Sequence, residues 1–503
     1  MSSTRLSTLL SRLPRLTHAA FLAVPITSYD RPRRFGLARL CIVILAAQQL
    51  SACAALPERT MTDVRQAASA TTPATYEETL ANGLKVVIKQ DHRAAVVMTQ
   101  LWYKVGSSDE TSDETGLSHA LEHMMFKGTP TVPGEEFSRI NARFGGSNNA
   151  FTTDDYTGYY QLYPANRLNL ALELEADRMQ HLVLKEDDFA QEMRVIMEER
   201  RQRTDDNPKA LAYERFRLMA YPTSPLRYPV IGHMKNLEKL KLSALKRWYQ
   251  QWYTPNNAVL VIVGDVKPDE AMQQVRQYFG SIPMRATPTR PDVNEFMHTG
   301  ERNMNLFMPV QVPLLYMAYN VPSLGTAKDP NDAYGLTLLV SVLDGGLSAR
   351  LEQRLVREQR LLTAVSTSYS PFERGGSLLM ISAVPDQGHT LAQARKAILA
   401  EIEKLKTDPI TDDELARVRT NYLADMTYSQ DSISGQAQLI GQMETAGLSY
   451  QTIVDLPERL SKLTVPFIQD VAKRYLTQDS LSTLYLAPEA KNPQNAVAPV
   501  VAP

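Results

Sequence analysis

The stretch that decides the fold runs Gly116-Leu117-Ser118-His119-Ala120-Leu121-Glu122-His123-Met124-Met125-Phe126-Lys127-Gly128-Thr129. Residues 116–126 read as a helix. On a helix His119 and His123 are one turn apart and Glu122 lies three residues from His119, so all three side chains leave from one face. Two neutral imidazoles at that spacing can clamp a Zn²⁺ ion, and a carboxylate beside them can take a proton from the attacking water. The order inverts the H-E-x-x-H zinc signature. The bland alternative is a polar helix face on which two of the eight histidines fall by chance.

A zinc site needs a third protein ligand. A second helix, read over residues 187–203, can supply it through Glu192-Met193-Arg194-Val195-Ile196-Met197-Glu198-Glu199. Val195, Ile196 and Glu199 fall on one side, and Glu192 lies two turns before Glu199 on nearly the same side. Two carboxylates so placed can serve as a ligand and as the partner that fixes a histidine's tautomer. The alternative is a solvated acidic helix.

Outward from these helices the pattern is mixed. Residues 84–89 and 96–103 read as strands, 166–178 as a helix, and 257–263 as a buried strand ended by Gly264-Asp265. Residues 281–294 hold Pro283, Pro288 and Pro291 without apolar periodicity and read as a linker. Beyond it the order restarts, with a strand at 314–319 and helices at 333–343 and 347–360. The fold class expected is α+β, with two homologous α/β-sandwich domains from a duplicated unit, at 76–282 and 296–490.

Composition narrows the function. The 503 residues are 44% hydrophobic and 22% charged, enough for a sizeable core. A net charge of −1 gives no case for nucleic acid as a partner. Only Cys41 and Cys53 occur, which excludes a disulfide scaffold and a cysteine metal site. The one strongly apolar run, residues 40–47, is too short to span a bilayer. It sits where an export signal belongs, behind Arg31, Arg33, Arg34 and Arg39. Leu50-Ser51-Ala52-Cys53 resembles a bacterial lipobox, with Cys53 acylated as the first mature residue; a plain signal peptide or an Arg-rich transit peptide are the alternatives. On the lipobox reading 1–52 are a signal region, 53–75 a tether, and 491–503 a disordered tail. Loss of 1–52 removes seven Arg and one Asp, leaving 47 basic and 54 acidic residues. The location implied is the bacterial periplasm, with the chain held to the outer membrane only through lipid.

The sequence resembles the pitrilysin/insulinase-type zinc peptidases, the inverzincin family that includes the mitochondrial processing peptidase. Residues 116–129 carry the resemblance, together with Glu199 in a Glu-x-x-Val-x-x-Glu-Glu segment 76 residues beyond His123; further matches cover most of 76–490. The resemblance implies His119, His123 and Glu199 as ligands of one Zn²⁺ per chain, Glu122 as the base, and Glu192 as the carboxylate that orients a ligand. Glu198 is the competing ligand. Residues 145–152 resemble the family's edge strand, where an extended peptide adds along Asn149, Ala150 and Phe151; the alternative there is a Gly-rich turn before an ordinary strand. The fold implied is two domains facing one another across a chamber.

One departure matters. Self-sufficient members carry an Arg and a Tyr seven residues apart in the second half. Here Arg357 is present, but Ala364 stands in place of the tyrosine, Leu361 in place of the usual glycine, and Tyr369 is out of register. Residues 333–343 carry no His/Glu set. Two readings follow: a weaker self-contained enzyme, or the zinc-bearing subunit of a heterodimer whose homologous partner supplies the Arg/Tyr pair. The expectation is the second, a zinc metalloendopeptidase acting on extended or unfolded peptides. The rival is a non-catalytic peptide-binding or scaffold subunit.

Overall fold

A computed structural model describes residues 75–489, apart from 297 and 409. The expected signal region, Cys53, the tether up to residue 74 and the tail lie outside the described residues. Among those described, no helix is long and apolar enough to cross a membrane.

The chain forms two mixed sheets. The first contains β1 (Thr75–Thr79), β2 (Lys85–Gln90), β3 (Val96–Tyr103), β4 (Ser147–Thr152), β5 (Thr157–Pro164) and β6 (Ala258–Gly264), in the order β1-β2-β6-β3-β5-β4. The second contains β7 (Arg302–Met308), β8 (Leu314–Val321), β9 (Leu362–Ser368), β10 (Ser377–Pro385) and β11 (Leu481–Pro488), in the order β7-β11-β8-β10-β9. Counted from β2 and from β7, both sheets read first–fifth–second–fourth–third. In both, the first and fifth strands form the parallel pair and the other pairings are antiparallel. The fold is thus a duplicated α/β unit, with β4 and β9 as equivalent edge strands.

The sheets are apolar on both faces. In β6, Val259, Val261 and Val263 enter one core and Ala258, Leu260 and Ile262 another, which is why the strand is a continuous run of buried residues. One face of the first sheet is covered by its own helices, including α1 (Leu117–Met124) and α2 (Glu186–Arg200). The opposite face is covered by a helix from the second half. Among helices of both halves, α3 (Pro208–Ala220) sends Ala212, Phe216 and Ala220 onto Ala318, Leu484 and Leu486 of the second sheet. In return α4 (Ile433–Thr445) lies on β3 and β6 of the first. The two halves therefore exchange helices, and their cores interlock.

Two expectations change. Residues 281–294 have no helix or strand, yet Arg285 donates to Thr254 through its amide, and Arg290 donates to Asp109 at 3.0 Å and to Asn257 at 2.7 Å. The segment is a pinned strap, since its arginines find buried acceptors. The helix expected at 347–360 is present over residues 350–358 but is wound wide, as a π-helix, over Glu352–Glu358.

The exchange has its tightest point at Gly441 of α4, where a Cβ would sit 2.0 Å from Cε2 of Trp102, which is completely buried. Gly441→Ala should cost about 1–3 kcal/mol as overpacking that the ring cannot relieve. The measurement is the urea midpoint at constant m-value, and an unchanged midpoint would contradict this packing.

Candidate metal centre

α1 starts abruptly. Gly116 has φ 93° and caps nothing with a side chain; the buried carboxylate of Glu110 instead accepts from the amides of Gly116 at 2.6 Å and Ser118 at 2.7 Å. These are orphan donors of a first helical turn, satisfied from outside the helix. Leu117, Ala120, Leu121 and Met124 then pack inward. His119, Glu122 and His123 are left toward α2.

α2 opens with Glu186, Asp187 and Asp188 at its positive end. Its buried ridge is Phe189, Glu192, Met193, Ile196 and Arg200, whereas Val195, expected on the site-facing side, is exposed. The helix end is held by Arg200, which donates to both oxygens of Glu214 and to the Gly232 carbonyl.

The two helices bring His119, His123 and Glu199 together, with one ligand atom from each lying within 4.8 Å of the others. Glu199 Oε2 is 3.5 Å from His123 Nε2 and 3.8 Å from His119 Nε2. Donors around a tetrahedral Zn²⁺ at its usual bond lengths sit roughly 3.3–3.5 Å apart, so the set fits that ion with small adjustments. Glu199 Oε1 faces away and pairs with Arg203 at 2.6 Å. Glu198 lies on the outer side, bonded to Arg201 and Gln202. Glu192 accepts from His123 Nδ1 at 2.9 Å and pairs with Lys127 at 2.5 Å, so it fixes the ring that presents Nε2. Glu122 receives a 2.5 Å hydrogen bond from Thr152 Oγ1, on β4.

Burial and charge divide the titratable groups. Burial, with His123 and Arg203 nearby, lowers His119 to about 4. Burial opposes charge on His123 too, but Glu192 and Glu199 outweigh it and raise that imidazole to about 9. Hydrogen bonds from His123 and Lys127 hold Glu192 down at about 2. Burial raises Glu122 against the opposing pull of Thr152 and His123.

Residues 85–233 match the family model described as insulinase, peptidase family M16, and residues 239–422 match the one described as the M16 inactive domain. Zinc protease PqqE of Helicobacter pylori is 32% identical over 416 residues, covering 82% of this chain and 92% of that protein. The chain belongs to the M16 peptidase family. The crystal structure of a protease from Helicobacter pylori superposes with a TM-score of 0.77 at 31% identity, covering 83% of this chain and 100% of that one. The periplasmic protease PqqL of Escherichia coli superposes at 0.71 with 19% identity, and here 82% of this chain spans only 47% of that chain.

Within this M16 fold the remaining expected residues are dispersed. Asn149, Ala150 and Phe151 lie on edge strand β4. The Phe151 ring turns into the core against Trp102, with centroids 5.0 Å apart, so that residue offers only its main chain. Arg357 is half exposed, bridges Glu352 at 3.1 Å and is no part of the cluster. Ala364 sits in β9 opposite Val384. The hydroxyl of Tyr369 donates to the Pro322 carbonyl at 2.6 Å, which takes it out of use. The left-handed position is Arg360, φ 50°, one residue before Leu361. Sequence reasoning missed Lys127, Arg203 and Thr152. Lys127 is four residues beyond His123 and Arg203 four beyond Glu199, so helical spacing carried the signal for both.

A proton on His123 competes directly with a metal. Zinc affinity of the metal-free chain should therefore rise with pH by up to about tenfold per unit between pH 6 and 8, with proton release on binding. Glu199→Gln should weaken affinity strongly, Glu192→Gln by about 10–100-fold, and Glu198→Gln little. Competitive metal titration at several pH values reads all of this, and a larger loss at 198 than at 199 would overturn the assignment.

Proposed function

We propose that this chain is the catalytic subunit of a zinc metalloendopeptidase that cleaves extended or unfolded polypeptide. The observation that carries the reading is the convergence of His119, His123 and Glu199 beside a half-buried Glu122 that edge strand β4 holds through Thr152. A bound Zn²⁺, one per chain, would supply Lewis-acid polarisation of the scissile carbonyl and of water at this point. Glu122 takes the proton from the attacking water and passes it to the leaving amine. Glu192 keeps His123 oriented, and Arg203 occupies the second oxygen of Glu199 so that the first stays on the ligand side. The main-chain edge of β4 aligns the substrate.

The site lacks an Arg/Tyr pair from its own second half, since Arg357 is engaged with Glu352 and Tyr369 with Pro322. PqqL, of which 82% of this chain spans only 47%, supports assembly from two such units. The reading therefore includes a homologous partner subunit that supplies the pair. It also places the chain in the bacterial periplasm, anchored to the outer membrane by acylation of Cys53. Incorporation of labelled fatty acid into the wild type but not Cys53→Ser tests the anchor. The rival, a peptide-binding scaffold, is disfavoured by the intact ligand and base set.

Glu122→Gln should keep metal content near one per chain while peptide hydrolysis falls at least about 10²-fold. Normal turnover by that variant would exclude the mechanism. For the partner, the isolated chain should bind zinc yet cleave slowly, and a homologous Arg/Tyr-bearing chain should raise the rate at constant metal content by orienting the substrate. Full turnover by the isolated monomer would remove the partner.

A further inference from the structure

The turn between β4 and β5, residues 153–156, directly follows Thr152 and is tied down by several hydrogen bonds. The Ser107 amide donates to the Thr153 carbonyl at 3.1 Å and the Ser108 amide to the Asp154 carbonyl at 2.9 Å. Ser107 Oγ donates to Asp154 and Ser108 Oγ to both Asp154 O and Asp155 Oδ1. The approach is so close that a Cβ on Gly106 would lie 2.4 Å from both carbonyl oxygens. Arg217 adds a 3.0 Å bond to the Asp154 carboxylate.

One side chain closes this assembly from the other half of the molecule. Arg374, in the loop between β9 and β10, donates through Nη1 to both oxygens of Asp109 at 2.9 and 3.1 Å and through Nη2 to Ser108 Oγ at 2.6 Å. Its amide donates to Asp155 Oδ2 at 3.0 Å. Asp109 and Asp155 have side chains only 0% and 4% exposed, so these bonds form out of water and have no solvent substitute. Arg290 of the strap shares Asp109.

We infer that Arg374 is a positioning residue for Glu122: the second half, which carries no ligand of the centre, clamps the β4–β5 turn and so fixes where Thr152 presents its hydroxyl. The inference rests on the peptidase reading. Arg374 touches neither substrate nor metal; its guanidinium acts through Asp109 and Ser108, which hold the Thr153–Asp154 backbone, and so through the turn to Thr152, while its amide, which Arg374→Gln keeps, holds Asp155. An arginine that did nothing but hold the halves together would alter stability without touching the step that Glu122 performs.

The experiment uses the full chain loaded with zinc, assayed well below its melting temperature. The variants are Arg374→Gln, Arg374→Lys, Thr152→Val and the double Arg374→Gln/Thr152→Val. Expected are zinc content unchanged, KM nearly unchanged, and kcat down about tenfold or more in each of Arg374→Gln and Thr152→Val. The double variant should be little worse than the poorer single, because both losses pass through one hydrogen bond. Arg374→Lys should recover part of the rate. Multiplicative losses in the double variant, or full kcat in Arg374→Gln, overturn the inference. Should Arg374→Gln fail to fold, Asp155→Asn tests the same link from the other side with the same two outcomes. Hydrogen exchange of the Ser147–Thr157 amides separates this inference from the peptidase reading. Faster exchange in Arg374→Gln supports the clamp even if the wild type cleaves nothing, and unchanged exchange contradicts it even if the wild type is active.

Discussion

Each sheet of this protein has two apolar faces, and its own helices cover only one. Val87, Met98, Trp102, Val259, Val261 and Val263 would meet water if the first half stood alone. Full burial of one such side chain contributes about 1.5–3 kcal/mol, so the sum is large against the stability of any domain. The fold meets the constraint by exchange. α3 leaves the first half to cover the second sheet, and α4 returns the cover. From this follow the interlocked cores, the pinned strap at 281–294 and the close approach of loop 369–376 to the β4–β5 turn. A half that carries none of His119, His123 and Glu199 is thereby built into the wall of the candidate site.

The second constraint is electrostatic. Glu122, Glu192 and Glu199 stand around two imidazoles in a partly buried space, where uncompensated charge is costly. Each carboxylate is met by its own partner: Lys127 for Glu192, Arg203 for Glu199, and the Thr152 hydroxyl for Glu122. Lys127 and Arg203 supply two of the positive charges, and an imidazole supplies a third. His123, flanked by two carboxylates, keeps its proton, while His119 is neutral. A dication in that position would take the place of that proton, so the carboxylates that hold the proton on His123 are the ones that favour a cation there.

Much of this was legible in the sequence because it is local. The strand at 96–103 matches β3, and the helix at 116–126 contains α1, because period and glycine punctuation report backbone state. The pairing of α1 with α2 could be read only through chemistry, since the ligand residues needed one another. What stayed hidden was tertiary. An apolar helix face says that something covers it and not what, so the 433–445 segment gave no sign that it crosses to the first sheet. Arg374 reads as one arginine beside two glycines until the fold brings Asp109 and Asp155 to it. The inward turn of the Phe151 ring onto Trp102 was hidden for the related reason that alternation along a strand names two faces without saying which is core.

The duplicated strand order also shows how the halves diverged. β4 and β9 occupy the same place, each at an open edge where an extended chain can add. At β9, Asp344 from the preceding helix accepts from the Thr367 amide at 2.8 Å, so an added strand would have to displace a carboxylate there. At β4 the equivalent neighbour is α1, and contact runs through a side chain, Thr152 to Glu122, while the Ala150 amide donates to Asn149 Oδ1 at 2.9 Å on the same strand. One unit thus turns an acid onto its edge backbone, and the other keeps its acid beside His119 and His123. The same topology supports both because the edge strand and the helix after the second strand lie side by side in each, so the helix's carboxylate meets the strand through a backbone amide in one unit and through a hydroxyl in the other.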